Sequence, residues 1–158
     1  MATVSCSRTW SSYSRGVQPI EDVLREAPVD VVDSVRWLRD EGAMVTATRV
    51  RHGMGFALAE LKLDDLKFRV SSDRDQWSLD LRRAAEPWLQ FDLIRRIVAG
   101  VTTWRTQVAG SPLPDQLPAG VSWRLGLPDA IRWLRSTPTA VDQVAIAGSE
   151  RANDLFGQ

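Results

Sequence analysis

The sequence predicts an α+β fold: an antiparallel β-meander of about four or more strands over residues 44–82, packed by helices. The chief helix spans 87–99, with others near 30–41 and 128–136. Three observations predict it. Within 44–82 apolar residues recur at every second position, as in strands with one buried and one wet face. The gaps between those runs are short, which makes neighbouring strands antiparallel. On either side, apolar residues recur at three- and four-residue spacing between proline and glycine punctuation, the mark of amphipathic helices.

Residues 1–17 are polar around Trp10 and Tyr13 and read as a loose N-terminal arm or a first edge strand. Ile20, Val23 and Leu24 sit at helical spacing, and Pro28 ends that short segment or opens the next. Val31, Val35 and Leu38, with Val32 alongside, form one stripe, and Gly42 follows at a C-cap position. The runs 44–50, 56–63, 66–72 and 77–82 then read as four strands. Leu66, Phe68 and Val70 alternate with Lys67 and Arg69, and Trp77, Leu79 and Leu81 alternate with Ser78 and Asp80. The pair Asp64–Asp65 reads as a two-residue hairpin turn.

PWLQFDLIRRIVAG at 87–100 places Pro87 in a first turn and Gly100 at the cap, with a broad apolar arc between them. Residues 111–120 are too rich in proline for regular structure. VSWRLGL reads as a short strand, and Pro128 as the start of a helix through about Ser136. A lightly packed helix follows Pro138, and 149–158 reads as a flexible tail. At 158 residues the chain is the size of a single domain.

Twenty basic and twenty acidic residues cancel. Neutrality argues against the general phosphate attraction of a nucleic-acid coat. All the basic residues except Lys62 and Lys67 are Arg, which favours planar, multi-donor contacts. Cys6 stands alone, so no internal disulfide forms, and a reducing, cytoplasmic compartment fits best. No apolar run approaches the ~18 residues that span a bilayer. A zinc site needs several His or Cys ligands, and one of each is too few; no nucleotide-binding glycine motif occurs, so no metal or cofactor is expected.

His52, the sole histidine, lies in RHGMG. A glycine-assisted hairpin turn is the plainer account. An enzyme built on carboxylates, Arg and His52 is one alternative function. A nucleic-acid module using Arg82, Arg83, Arg95 and Arg96 is another.

Residues 20–41 hold seven acids against three Arg, a solvated helix face or a surface for a basic partner. Seven tryptophans are many for this length. Trp77 follows strand alternation and Trp88 opens the chief helix, so both are expected in the core. VRWLRD at Val35–Asp40 has a near twin, IRWLRS at Ile131–Ser136, each with an aspartate two positions upstream. In both copies the Trp, Trp37 or Trp133, falls off the apolar stripe. Covering loops or Arg stems account for that, as does a partner surface or self-association. The similarity ends with these windows, so the twins are two helices built alike and not a duplicated domain.

Residues 43–104, with a meander ending in DRDQWSLDLRR and then PWLQFDLIRRIVAG, resemble small bacterial immunity proteins of polymorphic toxin systems. The resemblance implies a non-catalytic protein that binds and neutralises a cognate toxin in the cytosol, and it transfers no site residue. The partner-binding residues expected from the acidic helix are Asp33, Trp37, Asp40 and Glu41.

Overall fold

The computed structural model describes residues 18–51, 53–100 and 122–156. The order is α1 (Ile20–Val23), α2 (Val29–Asp40), β1 (Met44–Arg51), β2 (Phe56–Leu63), β3 (Leu66–Asp73), β4 (Gln76–Arg83), β5 (Leu89–Gln90), α3 (Phe91–Val98), α4 (Trp123–Ser136) and α5 (Ala140–Phe156). The strands form one antiparallel sheet in the order β1-β2-β3-β4-β5, the expected meander with one short strand added. Residues 1–17, with Trp10 and Tyr13, and the proline-rich 111–120 lie outside the described residues, as do Trp104 and His52.

Alternation sets the two faces. Ala59, Leu61, Phe68, Val70, Leu79 and Leu81 point into the core, where they meet Val35 and Leu38 of α2, Phe91 and Ile94 of α3, and Leu127 and Leu134 of α4. The helices therefore gather on this face. The other face carries Arg49, Leu58, Glu60, Lys62, Lys67, Arg69, Asp80 and Arg82. Burying one face of β2, β3 and β4 fixes register, because a slip by one residue would turn their core side chains to water. One irregularity occurs: the β1–β2 register shifts between Val45 and Ala47, a bulge in the edge strand. Gly42 follows α2 at φ 102°, the left-handed stop that the sequence suggested.

Three boundaries differ from expectation. Leu89 and Gln90 pair with Leu81 and Asp80, so the sheet takes the residues read as the first helical turn, and α3 begins at Phe91. Pro87 consequently precedes a strand. Pro128 lies inside α4, which starts five residues earlier than the sequence suggested, where VSWRLGL read as a strand. An internal proline removes one helical hydrogen bond. Here the first turn is held from outside, because its orphan N–H groups are all engaged. Asp30 accepts from Trp123 and Arg124, and Ser122 accepts from Leu125 through its hydroxyl and from Gly126 through its carbonyl. Finally, α5 continues through Phe156, so 149–156 is helix where a tail was expected.

Two close contacts fix α4. A Cβ on Gly126 would lie 2.9 Å from Arg95 Cδ and 3.2 Å from Phe91 Cζ, so a hydrogen at this position lets α4 approach α3. At its other end, Arg83 from β4 donates to the carbonyls of Leu134 (3.1 Å) and Pro138 (3.3 Å) while paired with Glu86. The sheet thus caps the helix C-terminus with a guanidinium.

Candidate functional site on the α2–α4 face

The twin sequences fold into two helices that pack against each other. Leu38 and Leu134 occupy equivalent buried positions in them. Each repeats the same Asp-to-Arg ion pair one turn on, Asp33–Arg36 at 3.5 Å and Asp129–Arg132 at 2.8 Å. Their later arginines diverge. Arg39 reaches Glu21 of α1 at 3.6 Å, and Arg135 reaches Asp64 of the β2–β3 turn at 3.2 Å.

At 100° per residue Asp33, Trp37, Asp40 and Glu41 fall within about 100° of one another, so they share one side of α2 and its C-cap. Asp33, Asp40 and Glu41 are exposed and Trp37 is half-buried. The indole lies under the guanidinium of Arg124, 4.5 Å from the ring centroid. Trp37 also lines an open groove between α2 and α4. Trp37, Leu63, Pro128 and Ile131 form its apolar floor, and Glu41 and Arg135 stand on its rim. An Arg guanidinium therefore covers part of the ring, and Trp37 remains half-buried at the groove. Trp133 is different: it is half-buried against the core.

The acidic tally of residues 20–41 is softened by this packing. Arg124, Arg132 and Arg135 of α4 lie alongside, and Asp30 is consumed in capping α4. The face presented to a partner is apolar at its centre and mixed in charge at its edge, as interface cores and rims are.

The alternative set of four arginines is dispersed. The arginines Arg82, Arg83, Arg95 and Arg96 share no surface. Arg82 stacks on Trp88 on the wet side of the sheet, Arg83 is bonded to the end of α4, Arg95 lies over Phe91 and beside Asp92, and Arg96 is buried. Beside Arg51 and Gly53 a cleft is lined by Asp22, Glu26 and Asp75; Asp22 is paired with Arg25 and the other two are exposed. Among the described residues no three His, Cys, Asp or Glu are grouped to hold a metal ion, and no helix is long and apolar enough to cross a membrane.

Two features escaped the sequence reading. Trp88 belongs to the wet face, with the Arg69 and Arg82 guanidinium groups 4.5 Å and 4.3 Å from its ring, because the helix it seemed to open starts three residues later. Trp77 does pack against the core as expected. In the sequence Asp30 is one acid among the seven of residues 20–41, and nothing local marks it as a cap for a helix about ninety residues away. No protein-family description, curated protein or solved structure matches this chain.

Proposed function

We propose that this chain is a non-catalytic protein-binding protein that docks its partner on the α2–α4 face through Asp33, Trp37, Asp40 and Glu41. The observation that carries the reading is Trp37, an indole placed on the floor of an open, charge-rimmed groove. A large aromatic anchor surrounded by polar groups is the usual composition of an interface hot spot. The finer reading is neutralisation of a cognate bacterial toxin in the cytoplasm, and it is supported by the resemblance of residues 43–104 to immunity proteins.

The test captures the partner from the native host with the wild-type chain and then measures its affinity for wild type and Trp37→Ala, with circular dichroism confirming that both are folded. The expected loss is about 30-fold or more, equivalent to ~2 kcal/mol. Unchanged affinity removes the site assignment. A captured partner that does not arrest growth when expressed alone removes the toxin reading but leaves the binding face standing. If the captured partner is a second copy, the face mediates self-association.

A further inference from the structure

The wet face of the sheet carries a row that stability alone does not favour. Lys62 stands directly opposite Lys67, and Lys67 directly opposite Arg82, across β2, β3 and β4. The only two lysines of the chain are thus cross-strand neighbours, and an arginine extends them. Opposed residues on one face lie ~5 Å apart at Cβ, and like charges there destabilise the pair. None of the three is ion-paired among the described residues, and the buried Arg82 Nε has no hydrogen-bond partner there. Of the nearby carboxylates, Asp80 accepts from Arg69 at 2.9 Å and 3.2 Å, Asp64 and Asp65 turn toward Arg135, and Glu60 stands opposite Arg69, beside the Lys62–Lys67 pair. Trp88 lies at the end of the row, over Arg82 and Arg69.

We infer that this row, Lys62–Lys67–Arg82 beside Trp88, binds the phosphate backbone of a single-stranded nucleic acid. Three cations across three strands span about 10 Å, a distance that a flexible phosphodiester chain can follow with successive phosphates. A rigid acidic protein surface would need carboxylates at that same pitch. Trp88 and the guanidinium planes beside it give unpaired bases an edge to pack on. Neutrality of the whole chain does not register a row of three cations, because a net charge carries no information about where the charges lie. The inference is independent of the α2–α4 groove.

The experiment measures anisotropy of a labelled oligothymidylate of about 20 nucleotides with wild type, with Lys62→Ala/Lys67→Ala and with Trp37→Ala. Wild type should bind, with affinity falling steeply as salt rises. The double lysine variant should bind at least tenfold more weakly, with a shallower salt dependence, since it forfeits about two phosphate contacts. Removing opposed like charges does not threaten the fold, and a melting temperature no lower than that of the wild type confirms this. Trp37→Ala should bind like wild type. No binding at low salt, or equal binding by the double variant, overturns the inference. Equal affinity for a duplex, or equal displacement by polyglutamate at matched charge, overturns the single-strand assignment.

Discussion

Asp30 shows how much one side chain can determine. Its carboxylate sits in the first turn of α2, yet its acceptors serve α4: it takes hydrogen bonds from the Trp123 N–H at 2.8 Å, from the Arg124 N–H at 3.4 Å and from the Ser122 hydroxyl. Charge-assisted bonds of this kind are stronger than neutral ones, and an N-cap lost to Ala typically costs ~1 kcal/mol. Here several donors lose their acceptor together in a partly buried place. Asp30→Ala should therefore lower unfolding free energy by about 2–3 kcal/mol, and Asp30→Asn by less, because its amide keeps one accepting oxygen. Urea unfolding of the three proteins checks the order. Equal stability of wild type and Asp30→Ala would mean that Ser122 alone starts the helix. The same residue marks the limit of a sequence reading. Asp33, Trp37, Asp40 and Glu41 could be placed together because helical periodicity is local, whereas Asp30 finds its role across a long separation in the chain that no local pattern encodes.

At the scale of elements, β2, β3 and β4 were legible because one face is buried and the period of two holds along them, and β1 was legible despite its bulge. The errors fell where two local rules competed. Pro87 and Pro128 both satisfy the rule for a first helical turn, yet hydrogen bonds to β4 claim Leu89 and Gln90, and external caps start α4 before Pro128. The β3–β4 connection exposes another competition. Asp73 pairs with Gln76, leaving a two-residue loop in which Arg74 (φ 50°) and Asp75 (φ 64°) both adopt the left-handed region. This is the type I′ geometry, for which Asn-Gly is the preferred pair. Neither residue present is ideal, and Arg is the poorer. Arg74→Asn/Asp75→Gly should raise stability by about 1 kcal/mol, seen as an upward shift in melting temperature with the circular dichroism spectrum unchanged. A lower melting temperature would show that the Arg74 or Asp75 side chain makes a stabilising contact outweighing its backbone strain.

The whole molecule separates its surfaces. One side of the sheet supports the core and the helices, and through them the Trp37 groove; the other remains wet and holds the cationic row. A row kept for stability would alternate its charges, as Arg69 and Asp80 do two residues further along. Lys67→Glu supplies that alternation, placing a carboxylate between Lys62 and Arg82. Each new opposite-charge pair contributes roughly 0.2–1 kcal/mol, and two like-charge repulsions vanish. The variant should thus be more stable by about 1 kcal/mol, which for a chain of this size raises the melting temperature by about 2–4 °C. Salt supplies the sign test. Ions screen repulsion in the wild type and attraction in the variant, so the gap should be widest at low ionic strength and nearly closed at ~1 M. The same substitution should weaken oligothymidylate binding more than Lys67→Ala does, since it adds a repelling charge where a phosphate would sit. Gain in stability with loss of binding is the pattern of a site retained against the interest of the fold. A variant that is less stable than wild type, or a gap indifferent to salt, would remove the electrostatic reading of the row.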